Sequence, residues 1–218
     1  LEDGRIVIAF RGTDDSLIGW HEDFLMLCEK SVPAQESSVH FVEHIAKLSI
    51  PSSLLADLKN PFIDASLWQR FKKHFQYQKQ RPLWLVGHSK GGNLAIYAAC
   101  FCQTSIQKRI FQVDNFDGPG FHDEILKSSA YRQMLPYIHS YIPHYSFFGI
   151  VLGHEENYTV VKSHETGMMQ HNAFSWQLQA HHFEVDELSY ESVQFAIKVI
   201  LFLEKLRLEE KHQFVVAM

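Results

Sequence analysis

The sequence predicts an α/β domain built on a mostly parallel sheet. Three observations carry that expectation. Residues 5–10 and 83–86 are short apolar runs, the second without alternation. Strands of that kind are usual in parallel sheets covered on both faces. Segments with apolar residues near helical spacing lie between the runs. Glycine-containing turns then close the strands, at 11–14, 87–92 and 117–120, where the chain must leave the sheet.

Taken in order, residues 5–10 read as a buried strand, with Ile6, Val7 and Ile8 supplying β-branched side chains. The turn Arg11-Gly12-Thr13-Asp14 ends it. Residues 17–29 place Leu17, Trp20, Phe24 and Leu27 near helical spacing, and 39–48 repeat the pattern with Phe41, Val42 and Ile45. Residues 50–65 hold Pro51, Asn60 and Pro61 and read as an irregular excursion. A helix over 67–77 carries Leu67, Trp68, Phe71 and Phe75 on one side. After the strand at 83–86 and the turn at 87–92, residues 93–101 form a small-residue helix with Ala95, Ala98 and Ala99. A strand at 110–116 ends in Asp117-Gly118-Pro119-Gly120. Two more strands are expected at 137–142 and 158–161, and a closing helix at 191–208. Alternation of this kind implies helices flanking a mostly parallel sheet.

The bulk composition narrows the function classes. A chain of 218 residues, 46% hydrophobic, suits a single domain spanning 1–218 with a sizeable core. The formal net charge of -5 argues against nucleic acid as a partner, because phosphate-binding surfaces need clustered Lys and Arg. Cys28, Cys100 and Cys102 do not suggest a disulfide framework or a CxxC motif, so a reduced, cytoplasmic setting is expected. No run reaches the ~18 apolar residues of a membrane span. The chain starts at Leu1 and enters a strand almost at once, so some N-terminal sequence is expected to be missing.

The chemistry is concentrated at Gly87-His88-Ser89-Lys90-Gly91, between a predicted strand and a predicted helix. A serine hydroxyl can act as a nucleophile there if it stands clear of the sheet on a sharp turn. Glycines two before and two after keep side chains from clashing. Free N–H groups at the helix start can hold a developing oxyanion. The competing reading is a glycine-rich turn with an inert serine. His88 reads as a neighbour in the turn, pointing away from Ser89.

The run Gly87-His88-Ser89-Lys90-Gly91-Gly92-Asn93-Leu94-Ala95 resembles the elbow of the class 3 lipases. Phe10-Arg11-Gly12-Thr13, followed by Trp20 and Asp23, resembles that family's other hallmark. The Lys90 form of the elbow, with Asp117-Gly118-Pro119-Gly120-Phe121 downstream, is closer to a bacterial lipase-like group of unassigned function. The resemblance covers residues 6–176, except that 50–65 find no counterpart. It implies an α/β-hydrolase fold and a serine hydrolase acting on carboxylic esters. Thr13 would supply one oxyanion donor and the backbone N–H of Lys90 the other. Without the resemblance, Thr13 reads as a helix cap.

Serine needs a base, and in this fold the base follows both nucleophile and acid along the chain. His171 fits, with Gln170 beside it and Trp176 downstream; His164 is the rival. The acid departs from the lipase pattern. Class 3 lipases place an Asp where this chain has Ser146, flanked by His144 and Tyr145. Asp117, at the end of the preceding strand, is the preferred substitute; Asp114, Glu155 and Glu156 are further options. Asp117 reads equally as a turn residue. The apolar stretch Phe147, Phe148, Ile150, Val151 and Leu152 is either an acyl pocket or lid, or a buried edge.

The expected reaction transfers the acyl group of a small ester or lipid to Ser89 and then to water, with no metal or organic cofactor. Thioester hydrolysis and acyl transfer use the same constellation. Two other classes compete. The missing acid suggests a lipase-like binding protein without catalysis, and His181, His182 and Glu184 suggest a metal site. The sequence leaves the oligomeric state open.

Overall fold

The computed structural model describes residues 5–13, 17–47, 81–206 and 210. The excursion expected at 50–65 and the helix at 67–77 lie outside the described residues. Strands β1 (Ile6–Phe10), β2 (Leu83–His88), β3 (Ile110–Phe116), β4 (Ile138–Pro143) and β5 (Asn157–Val161) form one sheet. Their order in space is their order in the chain, and every neighbouring pair is parallel. Parallel neighbours need crossover connections, which helices usually supply. Helices α1 (Leu17–Cys28) and α2 (Pro33–Lys47) follow β1; α3 (Lys90–Phe101) and α4 (Thr104–Gln107) follow β2. Helices α5 (Asp123–Leu126) and α6 (Ser129–Met134) follow β3. After β5 come a short hairpin, β6 (Leu178–Gln179) with β7 (His182–Phe183), and helix α7 (Tyr190–Lys205). This is the α/β arrangement that the alternating sequence implied.

The sheet buries its two faces differently. Leu83, Leu85, Ile110, Val113 and Ile138 share one face and join the core with Ala95, Ile96, Ala98 and Ala99 of α3. The alanines let α3 lie close against β2 and β3. The opposite face carries Phe116 and Tyr141, paired across β3 and β4. Their rings meet Phe183, and those of Phe116 and Phe183 meet Trp176, at centroid distances of 5.2–6.2 Å.

Two boundaries differ from the sequence reading for local reasons. Helix α2 starts at Pro33, ahead of the apolar periodicity at 39–48. Proline is well suited to the first helical position, and the Gln35 side chain reaches back to the Val32 N–H at 3.0 Å. Helix α3 starts at Lys90, immediately after the serine, and so takes in glycines that read as turn.

A buried carboxylate ties α6 to the sheet edge. Glu156 accepts hydrogen bonds from the Tyr131 hydroxyl (2.6 Å), the Ser140 hydroxyl (2.6 Å) and His154 Nδ1 (2.8 Å). Burial by itself would raise this carboxyl's pKa. The bond and charge of His154, with the bonds of Ser140 and Tyr131, hold it down to about 2 against an ordinary 4.5. The anion is therefore favoured in the folded state. Its contribution is fully present above about pH 4.5 and is lost as pH falls towards 2. Glu156→Gln is expected to lower unfolding stability by roughly 3 kcal/mol near neutral pH and by much less at about pH 2. Urea unfolding of both proteins across that range measures the difference.

Candidate active site

Ser89 alone makes the turn from β2 into α3, with φ 56° and ψ -135°. A non-glycine residue there stores of order 1–3 kcal/mol of strain. The surroundings hold it in place. Its N–H donates to the Phe116 carbonyl at 2.9 Å, and its own carbonyl accepts from the Gly92 N–H at 2.9 Å. Gly91 is required by close approach: a Cβ there would lie 2.3 Å from the Phe10 carbonyl oxygen. Gly87 is required likewise, since its Cβ would lie 2.0 Å from the Gly91 carbonyl oxygen.

The loop after β1 abuts this turn. A Cβ on Gly12 would sit 2.9 Å from the His88 carbonyl oxygen and 3.2 Å from Ser89 Cβ. Thr13 therefore follows a residue in contact with the serine. Its hydroxyl donates to Asp23 of α1. Lys90 supplies the first backbone N–H of α3, and its side chain turns back to Glu22 and Asp23.

His171 ends a 3₁₀ turn, Gly167–His171, beyond β5. Its Nδ1–H donates to Asp117 Oδ2 at 2.7 Å. That leaves Nε2 as the basic atom of the ring. Asp117 directly follows β3, at φ 52°, and is fully buried. Its N–H donates to the Tyr141 carbonyl at 2.8 Å. Its second oxygen, Oδ1, accepts from the Ser146 hydroxyl at 2.5 Å and the Gly149 N–H at 3.1 Å. Ser146, expected from the resemblance to stand at the acid's position, donates to the carboxylate at the end of the neighbouring strand.

The imidazole of His171 has two ring neighbours. The Phe148 ring lies 4.3 Å away on centroids and the His88 ring 4.6 Å. His88 Nε2–H also donates to the His171 carbonyl at 2.7 Å. Burial pushes the His88 imidazole below its ordinary range, against the opposing effect of that bond. His88 thus contacts His171, a role its place in the sequence did not suggest. The loop is anchored further by Trp176 Nε1–H to the Gln170 carbonyl (2.8 Å) and by the Tyr145 N–H to Gln170 Oε1 (2.9 Å).

The other candidates are engaged elsewhere or stand apart. Asp114 accepts from Trp84 Nε1 and Gln112 on the aromatic face of the sheet. Glu156 belongs to the Tyr131 network, and His164 is exposed. Glu184 pairs with Lys162 at 2.7 Å, and no group of three metal-ligating side chains converges among the described residues. The apolar stretch divides. Phe148 covers His171, Phe147 packs on Phe195 of α7, and Val151 is buried. Ile142, Gly149, Ile150 and Leu152 line a cavity of about 230 Å³ together with Ser140 and His154. No helix among the described residues is long and apolar enough to cross a membrane.

Removing the Ser146 hydroxyl leaves Gly149 as the remaining donor to Oδ1 of a fully desolvated anion. Ser146→Ala is expected to cost about 1–3 kcal/mol of stability by chemical denaturation. The downfield imidazole N–H resonance of His171 is expected to shift in Ser146→Ala and to disappear in Asp117→Asn.

Among known protein families, the Mbeg1-like family model matches residues 1–56 and 63–218. The gap falls inside the stretch for which the lipase resemblance had no counterpart. No curated protein matches the chain. With nearly its whole length covered, from the β1 loop through the elbow to α7, the chain belongs to the Mbeg1-like family.

Proposed function

We propose that this protein is a serine hydrolase that cleaves carboxylic esters through an acyl-enzyme. The single observation that carries the reading is the His171–Asp117 hydrogen bond of 2.7 Å; Ser89 stands on a strained strand-to-helix turn next to His88, whose ring lies 4.6 Å from that of His171. Membership in a lipase-like family and the parallel α/β sheet support it.

In this mechanism, His171 Nε2 takes the Ser89 proton as Oγ attacks the acyl carbonyl. Asp117 fixes the tautomer with Nδ1 protonated and stabilises the imidazolium without itself taking the proton. The backbone N–H groups of Thr13 and Lys90 hold the tetrahedral oxyanion. The imidazolium then protonates the leaving alcohol. Water, activated by the same base, releases the acid and restores Ser89. Every step uses groups of this chain.

A binding protein of the same fold is the second reading, first suggested by the serine at the usual acid position. A carboxylate within hydrogen-bond reach of His171 favours the enzyme. Thioester hydrolysis and acyl transfer to an acceptor other than water use the same groups, so ester hydrolysis is the choice with the least special chemistry.

A fluorophosphonate probe is expected to label Ser89 in the wild type and not in Ser89→Ala. His171→Ala is expected to abolish labelling on the same timescale. Asp117→Asn should lower the hydrolysis of a short-chain p-nitrophenyl ester by ~10³–10⁴-fold, since it permits the wrong tautomer. A folded wild type that neither labels nor hydrolyses would count against the enzyme and favour the binding-protein reading.

A further inference from the structure

The lysine that follows the nucleophile has no task in elbow chemistry, which uses only its N–H. Its side chain is nevertheless committed. The Lys90 side chain is 9% exposed, with Nζ 2.6 Å from Glu22 Oε2 and 3.2 Å from Asp23 Oδ1. Asp23 also accepts the hydroxyl of Thr13 through Oδ2. Glu22 uses Oε1 to accept the Ala34 N–H of α2 at 2.9 Å. One cation on the first residue of α3 thus links α1, the start of α2 and the loop after β1.

Stability is a poor reason for this cluster. Replacing buried ion pairs by apolar side chains of similar size is often neutral or stabilising, because charges are costly to desolvate. Burial raises the Asp23 carboxyl pKa, opposed by the bond from Thr13 and the charge of Lys90. Geometry offers the better reason. The Thr13 hydroxyl proton is directed to Asp23, so the donor left for an oxyanion is the Thr13 backbone N–H. Gly12, one residue before, touches the elbow at Ser89.

We propose that Lys90 is a positioning residue for the oxyanion site: its ammonium fixes Asp23, Asp23 fixes the Thr13 hydroxyl, and the Thr13 N–H is thereby aimed at the acyl oxygen. The inference rests on the serine-hydrolase reading above. It makes the Lys90 side chain, Asp23 and Thr13 act as one unit in the transition state.

The test is a double-mutant cycle in the full chain with a p-nitrophenyl ester. Lys90→Met and Thr13→Val are each expected to lower kcat about 10- to 100-fold with KM changed little. The double variant should be no slower than the slower single, because both break the same unit. Affinity for a trifluoromethyl ketone, which forms the oxyanion on Ser89, should fall in step with kcat/KM. Lys90→Arg should restore part of kcat. Should Lys90→Met not fold by circular dichroism, Asp23→Asn, which keeps the shape and removes the charge, is expected to give the same loss. Multiplicative losses in the double variant, full activity in Lys90→Met or Asp23→Asn, or a loss confined to KM would each overturn the proposal. The parent reading fails separately, and visibly, if the wild type neither hydrolyses the ester nor labels at Ser89.

Discussion

The carboxylate of Asp117 is fully buried, and a buried charge persists only where donors converge on it. Here they come from two separate stretches of chain. His171 reaches Oδ2 from the loop after β5, while Ser146 and Gly149 reach Oδ1 from the loop after β4. The residue's own N–H is fixed by Tyr141 on β4. Satisfying this one anion therefore fixes how the last two strand-end loops fold over the sheet. It also sets the orientation of the His171 ring, against which the Phe148 and His88 rings lie.

The site has a simple relation to the sheet. Strand order in space equals strand order in the chain, and each strand delivers one part. Thr13 follows β1, Ser89 follows β2, Asp117 follows β3, Ser146 follows β4 and His171 lies beyond β5. Loops at the carboxyl ends of parallel strands are where α/β folds place ligands. The strain at Ser89 is held by contacts that reach across these ends, to Phe116 on β3 and through Gly91 to Phe10 on β1.

A second buried carboxylate steadies the same region from behind. Glu156 is bonded to Ser140, whose hydroxyl also accepts from Asn115 Nδ2 at 3.1 Å. Asn115 in turn accepts the Gly118 N–H at 2.9 Å, one residue beyond Asp117. Linked buried hydrogen bonds of this sort polarise and strengthen one another. The turn that carries Asp117 is therefore braced by β4 and α6 as well as by its own backbone.

The sequence by itself determined the local features. The five strands of the parallel sheet were expected at their places, two of them as apolar runs, and Gly87, Ser89 and Gly91 marked the turn, because strand pattern and close backbone approach are written in consecutive residues. Position after Ser89 and after a late strand singled out His171 from fourteen histidines. Boundaries were less legible: the start of α2 rests on the Gln35 side chain and that of α3 on glycines that read as turn. Only the tertiary structure decided which carboxylate meets the imidazole. Asp117 stood level with an ordinary turn residue, and the serine at the lipase acid position gave no sign that it donates to that same carboxylate. His88 facing His171, and Lys90 turning back to Glu22 and Asp23, were likewise invisible. The reason is physical: Asp117 and His171 are 54 residues apart, and which distant charges share a dry pocket depends on how loops converge, which no local spacing encodes.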